Sequence, residues 1–398
     1  MKKVLVYFSE FNTALGGGEF TPLSFISELQ KNCEVTLALN WRSDVVHAAE
    51  TLKIPIDFSR LRIVYIKPAG HFMQKLDAIL PFYRTKQLKE LAKDADLCIS
   101  TVNMFDFGKP AHHFVYLLRQ FGDNAFCDYL NKRPKPHGTK RIIRQMKTIL
   151  AETILRPLLG VRSTRKILAD PRERIYPTSY YVENVMRSFY GDFTSKVFYP
   201  PTIFEFTEPA PERDPLQIVV LGHIFPEKRL EDIIAITELA RTLSGQDLTL
   251  TLGGPLVISS YVQKIQATAA EKSWLKLAGP LYGKDKDRFL RSGTYAVHAE
   301  RDEAFGICVT EYLKAGLIPL VPNEGGTCEI VNDPALTWPT VEKGAQILAR
   351  LVTDPAFREE RRKHCAARAE QFTRQSYLEK QHELLQGILA DAGNGVKS

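Results

Sequence analysis

The sequence predicts an α/β protein of two successive doubly wound domains, and three observations carry that reading. Short apolar runs alternate with polar stretches of helical period, the βαβ pattern of a parallel sheet. The pattern starts twice, at KVLVYF (residues 3–8) and again at QIVVLG (217–222). Between the starts lie Pro200-Pro201 and an acidic, Pro-rich stretch, Glu205–Pro215, with the composition of a linker. A chain of 398 residues allows two domains at roughly 100–200 residues each. Its 44% hydrophobic and 25% charged residues exclude collagen-like, low-complexity and disordered classes.

In order along the chain, KVLVYF reads as a strand, the following turn residues as a loop, and Glu19 to Gln30 as a helix. Val35–Leu39, Arg62–Ile66 and Leu97–Thr101 follow as strands, and FVYLL (114–118) is strand-like. After the linker come QIVVLG, a helix from about Leu230, LTLTLGG (248–254), a helix, LKLAG (275–279), a helix, and a strand over Thr294–Ala299. A helix starting near Gly306 and a strand at Ile318–Val321 continue the pattern. A last helical segment, Gln375 to about Leu389, comes after the pattern is complete and is expected to pack back on the first domain. The expected division is 1–205, 206–374 and 375–398, with a ligand cleft between the two domains.

The net charge of +7 is uneven. From Asn131 to Arg174 thirteen Lys/Arg stand against three acids, a local +10 that leaves −3 for the remainder. One basic segment on a slightly acidic chain points to a localised anionic partner rather than to nucleic-acid coating. No run approaches the ~18 apolar residues that span a bilayer, and the apolar start is too short for a signal peptide, so a cytoplasmic location is expected. The six cysteines lie far apart with no C-x-x-C pair, which indicates neither a zinc ribbon nor a disulfide framework.

Three motifs carry chemistry. Gly16-Gly17-Gly18-Glu19 stands between the first strand and first helix, where backbone N–H groups at a helix start suit a diphosphate; a flexible turn is the plainer reading. It is not the G-x-G-x-x-G fingerprint, which counts against a nicotinamide enzyme. Gly222-His223-Ile224-Phe225-Pro226-Glu227-Lys228-Arg229 follows a strand, and its two cations lie where doubly wound folds bind ligands, although cations before a helix are commonly solvated. The most specific is Glu303-Ala-Phe-Gly-Ile-Cys-Val-Thr-Glu311: Glu303 precedes the expected helix and Glu311 lies within its first turns, flanking an anion site at Phe305-Gly306-Ile307. Such a site suits a ligand with phosphate in the middle and a hydroxylated ring at each end.

Together these motifs resemble glycosyltransferase family 4, the retaining nucleotide-sugar transferases of GT-B architecture. The resemblance covers the GGGE loop, Tyr199–Thr202 after PTSYYVENVM, the GHIFPEKR loop, and the run from His298 through EAFGICVTEYLKAG to GGTCEIV. The finer resemblance is to GDP-mannose-dependent mannosyltransferases that extend lipid-linked oligosaccharides. It implies two Rossmann-like domains facing a central cleft, the first binding the acceptor and the second a GDP- or UDP-linked sugar. It further implies that Glu303 contacts donor-sugar hydroxyls, Phe305 to Ile307 the distal phosphate and sugar, Glu311 the ribose, and Lys228 the diphosphate. Gly17 and Gly18 would close over that diphosphate. His223 stands where many members carry Arg, so Arg229 substitutes for it or diphosphate binding becomes pH-sensitive. His113, with His112 beside it, is the candidate acceptor-side catalytic histidine, with a core role as the alternative.

The reaction implied is hexose transfer with retention to a glycan or lipid-linked acceptor. No D-x-D-like pair lies in a candidate loop, so no metal and no cofactor beyond the nucleotide-sugar substrate is expected. Thr139–Ile154 reads as an amphipathic helix with Lys140, Arg141, Arg144 and Lys147 on its polar face, suited to an anionic membrane surface or a lipid-phosphate acceptor. A peripheral place on the cytoplasmic membrane face, in cell-envelope polysaccharide synthesis, is the matching expectation; nucleic acid is not an expected partner. The alternatives are a non-catalytic nucleotide-sugar or glycan binder on the same fold and a sugar-nucleotide epimerase.

Overall fold

The computed structural model describes residues 1–11, 15–66, 80–116, 153–154 and 156–394. It divides into two units, Met1–Pro201 with Tyr377–Ser398, and Thr202–Ser376.

The first unit is a six-stranded parallel sheet of β1 (Lys2–Phe8), β2 (Cys33–Leu39), β3 (Leu61–Tyr65), β4 (Leu97–Ser100), β5 (His112–Val115) and β6 (Arg174–Pro177). The spatial order is β3-β2-β1-β4-β5-β6, the doubly wound order in which the chain turns outward on either side of β1 and β4. Val4 to Phe8 are all buried, as a strand covered on both faces requires, and this is why β1 reads as an unbroken apolar run. Helices α1 (Gly17–Leu29), α2 (Val45–Thr51), α3 (Leu80–Lys93) and α4 (Thr164–Leu168) lie between the strands, and α5 (Tyr180–Tyr190) follows β6.

The second unit repeats the topology with β7 (Gln217–Leu221), β8 (Thr249–Gly253), β9 (Leu275–Gly279), β10 (Tyr295–Val297), β11 (Ile318–Pro322) and β12 (Thr337–Trp338), in the order β12-β11-β10-β7-β8-β9. Its helices are α6 (Leu230–Ser244), α7 (Ser260–Glu271), α8 (Gly283–Ser292), α9 (Ile307–Lys314), α10 (Thr327–Val331), α11 (Val341–Thr353) and α12 (Pro355–Ala369).

The last helix, α13 (Arg374–Asn394), packs on α1 as expected. Ser24 Oγ donates to Gln381 Oε1 at 2.6 Å, Gln381 Nε2 donates to the Ser24 carbonyl at 3.0 Å, and Tyr377 joins the ring of Phe20 edge-on. This second covered side explains why α1 buries nearly its whole circumference. Two strands lie outside the sequence expectation, β6 and β12. Both are short edge strands, too brief to show an apolar run of their own. Of the basic segment, residues 131–152 and 155, with Lys140, Arg141, Arg144 and Lys147, lie outside the described residues.

Candidate functional site

β7 and β10 are neighbours at the centre of the second sheet, and the chain leaves their carboxyl ends in opposite directions, the crevice where doubly wound sheets hold ligands. From β7 the chain passes Gly222-His223-Ile224 into a single 3-10 turn, Pro226–Lys228, stopped by Arg229 in the left-handed conformation (φ 49°). From β10 it passes His298, Glu300 and Glu303 before entering α9.

These two loops meet through Lys228. Its ammonium lies 2.6 Å from Glu300 Oε2 and 2.8 Å from Glu303 Oε2. Burial opposes the lysine's charge, but Glu303 and Glu300 outweigh it and hold its pKa above the ordinary value. Burial likewise works against Glu303, yet the Lys228 ammonium keeps its carboxyl below the usual range. Glu300 is pushed the other way, by burial and by the charge of Glu303. His298 is pushed down to about 4, by burial first and by Lys228 second. The imidazole is therefore neutral, and its 3.8 Å approach to Glu303 is not an ion pair. Its Nε2 is buried without a hydrogen-bond partner, while Nδ1 lies 3.7 Å from Cys308 Sγ.

His298, Glu300 and Glu303 present ligand atoms within 4.8 Å of one another, a donor set able to hold a metal ion. The Lys228 ammonium already stands against both carboxylates, so a metal would have to displace it.

The helix start beside this cluster is built for an anion. Gly306 caps α9 at φ +99°, and no side chain bonds to the free N–H groups of the first turn. A Cβ at Gly306 would come within 2.6 Å of Thr327 Cγ2, and one at Gly326 within 2.4 Å of the Ala304 carbonyl oxygen. At Gly326 backbone packs on backbone and at Gly306 a threonine methyl fills the space, so both positions require glycine. One turn further on, the buried Glu311 carboxylate accepts from Lys286 Nζ at 2.7 Å, and the same ammonium lies 4.2 Å over the Phe204 ring.

The structure thus brings Lys228, Glu303, Phe305, Gly306, Ile307 and Glu311 into one unit around one crevice. Arg229 does not join them: the left-handed turn sends its guanidinium back to Asp232 in the first turn of α6, at 2.7 Å. His223 is exposed and stacks on Phe225, centroids 5.5 Å apart and planes 3° from parallel. In the first unit Gly17 and Gly18 open α1; Glu19 Oε2 accepts from the Gly16 N–H at 2.9 Å, and a Cβ on Gly18 would meet nothing within 4 Å.

His113 requires correction. It is fully buried on β5, and its Nε2 lies 2.9 Å from Glu173 Oε2. Glu173 in turn holds Arg162 at 2.8 Å and the Ala111 N–H at 2.8 Å, and Arg162 clasps Asp106 at 2.8 Å. A histidine enclosed in that network has no surface to offer an acceptor, and its role is to brace the amino ends of β5 and β6. His112 is no substitute: its Nδ1 lies 2.9 Å from the Tyr176 hydroxyl, and burial pushes it down to about 3.

Glu300 and Lys286 are site residues that the motifs did not single out. Glu300 falls in HAERDE, a polar run that reads as solvated loop, and Lys286 falls in the alternating charges of KDKDR.

Residues 203–372 match the family model described as "Glycosyl transferases group 1". A 180-residue stretch is 29% identical to the GDP-Man:Man(3)GlcNAc(2)-PP-Dol alpha-1,2-mannosyltransferase of Candida glabrata, spanning 42% of this chain and about a third (35%) of that relative. Among solved structures, the fold is similar to that of Anabaena Alr3699/HepE in complex with UDP and glucose (TM-score 0.64, 14% identity, 98% of this chain and 100% of that one). It is also similar to WaaG, a glycosyltransferase involved in lipopolysaccharide biosynthesis (TM-score 0.61, 15% identity, 96% and 100%), and to sucrose-phosphate synthase of Thermosynechococcus elongatus (TM-score 0.63, 13% identity, 98% and 100%). The second unit thus matches the group 1 glycosyl transferase model, and the two sheets have the GT-B fold of these structures.

Proposed function

We propose that the protein moves a hexose, mannose in the first instance, from a nucleoside-diphosphate sugar to a glycan or lipid-linked acceptor with retention at the anomeric carbon. The observation that carries this reading is the Lys228 ammonium clamped between Glu300 and Glu303 beside the uncapped start of α9. As the sugar–phosphate bond breaks, negative charge grows on the diphosphate. Lys228 and the first-turn N–H groups of α9 are preorganised to receive it, a role that needs no metal. When Lys228 turns to the diphosphate, Glu303 is released to accept hydrogen bonds from sugar hydroxyls. Glu311 does the same for the ribose, steadied by Lys286. Gly17 and Gly18 offer the same anion chemistry at the start of α1. Neutral His298 keeps a second cation away from Glu303. Mannose and guanosine are favoured by the printed activity of the Candida glabrata relative, uridine by the ligands of the Anabaena structures.

Among the described residues no helix is long and apolar enough to cross a membrane. Exposed Leu158 (76%) and Ile154 (55%) are followed in sequence by exposed Arg165 and Lys166, a combination that suits peripheral contact with an anionic membrane face and a lipid-linked acceptor there. The test is calorimetric titration with GDP and with UDP, followed by transfer assays with the matching mannose or glucose donor and prenyl-diphosphate-linked acceptors in the presence of a chelator. Tighter binding of GDP and chelator-resistant turnover of GDP-mannose are expected. Binding without turnover on any donor would leave a non-catalytic binder.

A further inference from the structure

The carboxyl ends of β1 and β2 in the first unit carry a second constellation that no motif announced. The loop after β2, Asn40-Trp41-Arg42-Ser43, is pinned at three points. The Asn40 N–H donates to the Ser9 carbonyl at 2.8 Å, the fully buried Tyr7 hydroxyl donates to Asn40 Oδ1 at 3.1 Å, and the Phe11 N–H donates to Ser43 Oγ at 3.1 Å. Asp44, next in sequence, is committed to capping α2 through the His47 N–H. On this fixed loop Trp41 leaves 41% of its surface exposed. From α3 the guanidinium of Arg84, half-buried, lies 5.0 Å over the indole ring. Arg84 makes no ion pair among the described residues, whereas Arg162, Arg187 and Arg291 each hold a carboxylate. Arg42 is exposed beside the tryptophan.

A large aromatic held open on a pinned loop, with a cation against it that has no carboxylate partner among the described residues, asks for a ligand that has both a ring face and a negative charge. The C–H face of a pyranose packs on an indole, and a guanidinium pairs with phosphate or carboxylate through its fixed fork. The place is also one where a doubly wound sheet offers ligands a crevice, beside the turning point at β1 and β4. We propose that Trp41 and Arg84 form a subsite for an anionic saccharide, the ring lying on Trp41 and the charge on Arg84, with Arg42 adding to the field. Naming that saccharide the acceptor rests on the transferase reading; the subsite itself does not. Its charge has two possible sources, a diphosphate linking the sugar to a lipid or a uronic acid within the glycan.

The experiment titrates the full chain with four soluble probes: farnesyl-diphosphate-linked N-acetylglucosamine, a glucuronate-containing trisaccharide, neutral mannotriose and oligothymidylate. One anionic saccharide is expected to bind, and which one identifies the source of the charge. Trp41→Ala and Arg84→Gln should each weaken it by ~10-fold or more, while Trp41→Phe keeps most of the affinity. Affinity for GDP or UDP should stay unchanged in all three variants, which also shows that they fold. The subsite falls if no anionic saccharide binds, if mannotriose binds as tightly, if oligothymidylate displaces the saccharide, or if Trp41→Ala and Arg84→Gln bind like the parent chain. Saccharide binding that depends on Trp41 and Arg84 in a chain with no transfer activity would sink the transferase reading and leave the subsite standing. Transfer that proceeds with unchanged acceptor KM in both variants would do the reverse.

Discussion

The two units share a sheet order, and each gathers buried charge, but at opposite ends of its strands. In the first, Asp106, Arg162, Glu173 and His113 close on one another at the amino ends of β5 and β6, with His113 Nδ1 left without a partner. In the second, Lys228, Glu300, Glu303 and His298 stand at the carboxyl ends of β7 and β10, likewise with one imidazole nitrogen unpartnered, but beside a helix start that no side chain caps. A closed network braces the fold. The one at the turning point of the sheet lies beside open helix N–H groups, so the same residue types stand in different surroundings according to which edge they occupy.

The sharpest way to break this contrast is to remove charge from each edge in turn. Lys228→Ala and Glu303→Ala should each slow sugar transfer by at least ~100-fold, about 2.7 kcal/mol in the barrier, measured as kcat/KM for the nucleotide sugar. Near-normal rates in both would take the chemistry out of this crevice. His113→Ala should instead cost about 2 kcal/mol of folding stability by denaturant titration and leave kcat of the folded protein unchanged. A large kcat loss at unchanged stability would return His113 to the reaction.

The smallest effect concerns Glu300. Its pKa is raised in the folded state, so the folded protein holds a proton that the unfolded chain has lost. Its stabilising contribution is present below the ordinary carboxyl range and disappears as pH rises through the raised value. Glu300→Gln removes that dependence, so its melting temperature relative to the parent chain should rise by a few degrees between about pH 5 and about pH 8. A flat difference would mean that Glu300 is ionised in both states.

Much of this was legible because it is local. The Glu303–Glu311 spacing with its central glycine needs only a helix start to become a site, and the helix begins at Ile307. Strands such as KVLVYF were legible because covering on both faces demands unbroken apolar sequence. What escaped depends on partners far along the chain. Glu300 joins the site only because Lys228 arrives from 72 positions earlier. His113 precedes an apolar strand and reads equally as base or brace, until Glu173, 60 positions away, settles it. Arg229 looks like the twin of Lys228 in sequence; one left-handed residue turns it the other way. The basic segment also looks different in its described part, since Arg162 is spent inside the fold and Arg172 pairs with Asp170.

The return of α13 to the first unit has a consequence for biosynthesis. Residues 202–376 form a contiguous unit that can collapse as soon as it leaves the ribosome, whereas the first unit waits for residues 377 onward to cover α1. Until then Phe20, Ser24 and Phe198 lack Tyr377 and Gln381 as neighbours. The part of the chain made first is thus the part finished last, and the nascent protein carries an uncovered apolar helix through most of its synthesis, the interval in which a chaperone has something to hold.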